Sequence, residues 1–135
     1  MEYNKQELIM KHYSTPLYSN EMLNEDKDFT IYSEHCVDKI TFGYKNINDK
    51  VIFSHKTIGC AICVASTDIL IGMVNNKTVN EAIEIIDRYQ KLISQEIHED
   101  PKLRELNIFN NVKVHLNRFN CANLVTIGLL KLLRK

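Results

Sequence analysis

The hydrophobic period of this chain switches once from that of a strand to that of a helix, at Gly59–Cys60. Upstream, residues 39–45 (KITFGYK) alternate: Ile40, Phe42 and Tyr44 share one side, and Thr41, Gly43 and Lys45 the other. That is the period of a half-buried strand. Residues 46–49 (NIND) are turn formers. VIFSHK at 51–56 is the return strand, so the pair reads as a hairpin. From Ala61 the spacing becomes helical, with Ile62, Ala65, Ile69 and Met73 following the i, i+3, i+4 rule beside Ser66 and Leu70. A strand must therefore hand over to a helix within two or three residues, which limits where Cys60 can point.

The flanking segments fill in the rest. Asn4 and Glu7 resemble a capping box ahead of an amphipathic helix that Pro16 ends. Residues 17–28 are polar and loop-like, and a short strand is expected at 29–32. Asn75 to Lys77 stop the second helix, because Asn tolerates the left-handed backbone that follows a helix. Thr78 and Glu81 cap a third helix, predicted to run to about Ile97 with Val79, Ala82, Ile83, Ile86, Tyr89 and Ile93 on its apolar side. Asp100 and Pro101 start a short helix. Asn117 is expected to cap the last helix, whose apolar face is Cys121, Leu124, Val125, Gly128, Leu129 and Leu132. The expected class is α+β, a small antiparallel sheet with helices packed on one face, in a single domain over residues 1–135.

Lys+Arg and Asp+Glu both number 17, which argues against a nucleic-acid partner, since that would call for a basic excess. No apolar run approaches bilayer length, and the first residues lack the apolar region of a secretory signal. A cytoplasmic, reducing setting is expected. There, four cysteines are better read as buried, metal-binding or catalytic than as disulfide-linked.

The cysteines are Cys36, Cys60, Cys63 and Cys121. Cys36 precedes the first hairpin strand. Cys60 lies where strand becomes helix, and Cys121 is expected in the first turn of the last helix. A helix N-terminus favours the thiolate. Asp38 stands two residues beyond Cys36, on the same side of an extended segment. Three thiols and one carboxylate would suit a tetrahedral zinc or iron ion. Two other readings stay open on residues alone: a Cys60/Cys63 redox pair, or inert buried thiols. Among the remaining polar residues, His35, His55 and His115 read as loop or strand surface, with an alternative ligand or proton shuttle as the other reading of His35 beside Cys36. His12 reads as packing or a surface polar contact. Arg118 is placed to stabilise a nearby thiolate or an anionic metal site.

Four stretches carry a family resemblance, in order. LIMKHYSTP (8–16) resembles an opening helix that ends in DHYxNP. HCVD (35–38) resembles CGD, with Val37 in place of the glycine. GCAICVAS (59–66) resembles GCxIxxAS, and NRFNCANL (117–124) resembles RxxCAxL. Together they resemble the U-type iron–sulfur cluster assembly scaffolds (IscU/NifU-like), and the long stretch between Cys60 and Cys121 is similar to the SufU branch. The resemblance implies a SufE/NifU-like fold and a metal set of Cys36, Asp38, Cys60 and Cys121, with Arg118 in support. It also implies Cys36 as acceptor of persulfide sulfur from a SufS-like, pyridoxal-phosphate cysteine desulfurase. The occupant would be zinc, or iron or a nascent 2Fe-2S cluster, passed on to apo iron–sulfur proteins or carriers. The alternatives are a thiol–disulfide redox protein using Cys60/Cys63, and a metal-free scaffold that serves only as a binding module, for which Val37 is the argument.

Overall fold

The computed structural model describes residues 3–34 and 37–134. Helix α1 spans Lys5–Ser14, its first turn closed by the Asn4 side chain accepting from Glu7 N at 2.9 Å. Three antiparallel strands follow, β1 (Thr30–Tyr32), β2 (Lys39–Ile47) and β3 (Lys50–Ile58), in the order β1-β2-β3. Helices α2 (Ala61–Val74) and α3 (Val79–Ile93), two 3-10 segments (Pro101–Phe109 and Val112–Val114) and α4 (Leu116–Leu133) complete the chain. Among the described residues, no helix is long and apolar enough to cross a membrane.

The hairpin is tighter than NIND suggested. Asn48 and Asp49 alone make the turn, at φ 52° and 65°, and Ile47 pairs with Lys50. Both central residues of such a turn need positive φ, which Asn and Asp accept more readily than other side chains. The alternating face holds. Tyr44 pairs with Phe53, their rings stacked at 4.6 Å, and Phe42 pairs with His55. Helix α4 crosses β2 so closely at Gly128 that a Cβ there would stand 2.3 Å from the Phe42 ring. On the opposite face Leu23, from the long loop, covers Gly43.

β3 is an edge strand, and its outer edge is closed at both ends. Tyr18 and Asn20 bond the backbone of His55. The Asn75 amide pairs with Phe53 through both of its ends, at 2.7 and 3.0 Å, and Asn76 and Lys77 bond Val51. An edge satisfied in this way offers no template to another strand. The left-handed residue after α2 is Asn76, at φ 67°.

Two helix limits differ from expectation. α3 ends at Ile93, because Gln95 turns left-handed (φ 64°) and Glu96 and Ile97 bond back to the Lys91 carbonyl. α4 begins at Leu116 after a 3-10 lead-in, with His115 at the N-cap position, so Asn117 lies inside the first turn and does not cap. Cys121 consequently sits in the second turn, away from the positive end of the helix.

Two histidines are also deeper than expected. His12 and His55 are 5% and 1% exposed, and both bond Asp68, which is fully buried in the middle of α2. One carboxylate oxygen takes His12 Nδ1 at 2.6 Å and the Leu17 N–H at 2.9 Å. The other takes the Tyr18 N–H and His55 Nε2, both at 2.9 Å. Asp68 thus fastens α1, the segment after Pro16 and β3 onto α2.

Close by, the Thr67 hydroxyl is buried with no partner among the described residues. An unsatisfied hydroxyl forfeits its hydration without return, so the near-isosteric Thr67→Val should stabilise the chain by about 1 kcal/mol. A rise in the urea midpoint at unchanged slope would show it. A fall would mean that the hydroxyl has a partner in solution.

Candidate metal centre

Cys60 is the N-cap of α2, extended at φ −72° and ψ 164°, and its sulfur accepts the Cys63 N–H at 3.5 Å. The handover from strand to helix therefore fixes the thiol at the open end of α2. α4 brings Cys121 against it, Sγ to Sγ 3.1 Å. Asp38, at the mouth of β2, completes the group. One of its carboxylate oxygens accepts the Cys60 N–H at 3.0 Å, and the other lies 4.0 Å from Cys60 Sγ. Asp38 and Cys121 are 2% and 6% exposed, while Cys60 faces solvent.

Gly59 makes this approach possible. A Cβ on it would stand 2.1 Å from Asp38 Oδ1 and 2.7 Å from Cγ. The glycine thus lets the carboxylate lie flat against the turn and reach the Cys60 amide.

Three groups that can carry negative charge converge here. Burial pushes the Cys121 thiol up, and the neighbouring Asp38 and Cys60 push it further. A bound cation reverses that preference, since a coordinating metal deprotonates a thiol outright. The donors fit one. The ligand atoms of Asp38, Cys60 and Cys121 all lie within 4.8 Å of one another. Ligands at about 2.0–2.3 Å around a tetrahedral ion stand roughly 3.3–3.8 Å apart. The 3.1 Å sulfur pair and the 4.0 Å carboxylate–sulfur separation straddle that range, so shifts below an ångström bring all three to one ion.

Of the residues singled out in the sequence, Asp38, Cys60 and Cys121 are brought together. Cys36 and His35 lie in the β1–β2 connection, outside the described residues. Ser33 N bonds the Asp38 carbonyl at 2.9 Å, which closes the base of that connection beside the centre. Val37 is 86% exposed and is not among the described residues with positive φ. A β-branched side chain is therefore accommodated there without strain. Arg118 is exposed in the first turn of α4, one turn before Cys121. Cys63 is fully buried and stands apart from the three-residue group. Its backbone serves the centre by steadying Cys60. A Cys60/Cys63 redox pair would need the buried thiol to turn outward, whereas Cys60 already faces Cys121.

The residues that sequence reasoning missed are those behind the centre. His55 follows Val51 and Phe53 at strand period, so its inward direction was readable. Asp68 is the only charged residue in α2. A cleft of about 630 Å³, bounded by Tyr13, Pro16, His55, Thr57 and Gly59, opens beside the site.

Comparison with known proteins gives a consistent picture. The model of the NifU-like N terminal domain matches residues 3–122. An iron-sulfur cluster assembly scaffold protein, IscU, from Thermotoga maritima is 26% identical over 102 residues, which is 74% of this chain and 71% of that protein. Among solved structures, a hypothetical protein superposes with a TM-score of 0.83 at 20% identity, covering 97% of each chain. A protein from Fervidobacterium islandicum, assigned as an iron-sulfur cluster assembly scaffold of the SUF system, gives 0.79 at 25% identity, covering 94% of this chain and 93% of that one. The N-terminal part of a nitrogen-fixing NifU-like protein from Brucella abortus gives 0.78 at 18%, covering 94% and 90%.

Proposed function

The chain belongs to the NifU-like N terminal domain family, and on that premise we propose that it is a scaffold of iron–sulfur cluster assembly, acting through a Cys36, Asp38, Cys60 and Cys121 centre. The observation that carries this reading is the convergence of Asp38, Cys60 and Cys121 from three separate elements. In this reading zinc is the occupant at rest, and iron or a 2Fe-2S unit under construction is the cargo. Three thiolates and one carboxylate make a softer set than an oxygen cage and a more labile one than four thiolates, which suits a site that must exchange its contents.

Sulfur would arrive at Cys36. Its thiolate attacks the outer sulfur of a persulfide on a pyridoxal-phosphate cysteine desulfurase, the S–S bond to the desulfurase cysteine breaks, and that cysteine leaves as a thiolate. Cys36 then holds the persulfide, with no net oxidation. Asp38 holds one oxygen on the Cys60 amide and offers the other to the metal. Arg118, exposed one turn before Cys121, supplies positive charge at the rim. Apo iron–sulfur proteins or carriers would take the product, in the cytoplasm, from residues 1–135 acting as one domain.

The test is metal content after purification without chelator. Wild-type protein should carry about one zinc or iron per chain. Cys36→Ala, Cys60→Ala, Cys121→Ala and Asp38→Ala should each lower it, and Cys63→Ala should leave it unchanged. Metal-free wild type with a reversible Cys60–Cys63 disulfide would overturn the reading in favour of redox chemistry.

A further inference from the structure

Helices α2 and α4 each bring one sulfur to the centre, and they need a common reference to hold two thiols 3.1 Å apart. The third helix of the layer, α3, contributes no ligand yet stands behind both. Its Tyr89 is fully buried, and its hydroxyl donates to the Ala122 carbonyl at 2.9 Å. Ala122 follows Cys121 directly, so that bond acts on the turn carrying the α4 sulfur. On α2 the Cys63 N–H, given to Cys60 Sγ, steadies the sulfur that Cys121 faces.

We propose that the Tyr89 hydroxyl is a positioning group for the metal centre, the polar atom through which α3 sets the rotation of the Cys121-bearing helix α4 and so the approach of its sulfur to Cys60. The inference rests on the metal-centre reading only where metal is the readout, since the bridge itself is a property of the chain. A plain apolar contact would hold the helices together but let them slide. Dispersion is non-directional, whereas a buried hydrogen bond fixes distance and rotation and is costly to leave unmade. A second bond between α3 and α4, Gln90 Nε2 to Thr126 Oγ1 at 3.2 Å, lies one turn further along α4 and sets the same register. The aromatic ring would satisfy the packing without its oxygen. Its edge-on contact with Phe109 at 6.4 Å is available to phenylalanine as well.

Tyr89→Phe removes only that oxygen. Two readouts separate positioning from general stability. The first needs no metal. In chelator-treated protein the oxidant diamide takes two electrons and two protons from Cys60 and Cys121, joining them as a disulfide while its N=N bond becomes a hydrazine. Peptide mapping follows that bond. Tyr89→Phe should slow it severalfold while circular dichroism stays native. The second is cobalt(II) titration, in which the loss of such a supporting contact is expected to weaken binding by about tenfold and alter the thiolate charge-transfer band. Gln90→Leu, which removes the second bond from α3 to α4, should move both readouts the same way, and it stands in if Tyr89→Phe does not fold. Unchanged disulfide rate and unchanged cobalt spectrum in both variants would overturn the inference. Wild type that forms the disulfide but binds no cobalt would instead overturn the metal-centre reading, leaving the bridge to be judged on the disulfide rate alone.

Discussion

Asp68→Ala should lower the stability of this protein by roughly 3–5 kcal/mol, the range expected when one member of a buried charged network is removed. The size follows from the partners left behind. His12, His55, Leu17 N–H and Tyr18 N–H all point at the lost carboxylate, and both histidines are buried. Asp68→Asn keeps the shape but turns an amide N–H toward these donors, so it should cost less than alanine and still clearly destabilise. Wild type and Asp68→Asn also separate on pH. Burial on its own pushes the Asp68 carboxyl up, and it is the largest single influence. The hydrogen bonds from His55, His12, Leu17 and Tyr18 together hold it below its ordinary 3.8. A depressed folded-state value means that the group stabilises fully above the unfolded value and progressively less as pH falls through the folded one. The gap between wild type and Asp68→Asn should therefore be constant near neutrality and shrink below about pH 3.8. Urea melts at pH 7 and pH 3 check this, and a gap that widens in acid would refute the assignment. The consequence reaches the metal centre, because His55 on β3 and Asp68 on α2 tie together the two elements whose junction presents Gly59 and Cys60.

Much of this fold can be read from periodicity. The hairpin, α2, the capped start of α3 and the junction at Cys60 all follow from where the apolar period switches and where capping residues stand. The boundaries that were misplaced fall where local sequence is permissive. Residues 94–97 suit a helix, yet the chain turns left-handed at Gln95. Asn117 is a good cap, yet the 3-10 segment at Val112–Val114 delivers the chain to α4 before it. The meeting of Cys60 with Cys121, 3.1 Å apart across the core, has no local signal at all. Spacing says nothing about which helices pack together; ligand chemistry grouped these residues as one open reading among three, and the four ordered motifs of the family resemblance favoured it. The Asp68 cluster failed for another reason. The alternation that places Val51 and Phe53 inward places His55 inward too, but the usual exposure of histidine outweighed the pattern. Tyr89 was read as part of an apolar stripe, which is true of its ring. The direction of its hydroxyl depends on where α4 lies.

Gly59→Ala should weaken metal binding at least about tenfold while leaving most of the fold intact. The added Cβ would stand 2.1 Å from Asp38 Oδ1 and 3.0 Å from Asp38 Cβ, distances that non-bonded atoms do not share. Either the 59–60 backbone or the carboxylate must give. The backbone is held by its place between β3 and the first turn of α2, and the Cys60 N–H is already committed to Asp38 at 3.0 Å. The carboxylate is the softer element, and displacing it breaks that bond and withdraws one of the proposed ligands from the centre. The stability cost combines one hydrogen bond to a charged acceptor, about 1.5–3 kcal/mol, with the strain of an L residue held at φ 158°. The functional cost should equal the loss of Asp38 itself, at least about tenfold in zinc affinity, the scale seen when ligand-orienting contacts are removed. A double-mutant cycle decides between this account and a general loosening of the turn. If the glycine acts through Asp38, then Gly59→Ala should weaken zinc strongly in wild type and only slightly once Asp38→Ala is in place, since coupled residues do not add. Additive losses in the two backgrounds would mean that the glycine serves the cysteine turn directly. Full zinc affinity in Gly59→Ala would mean that the carboxylate has another route to the ion.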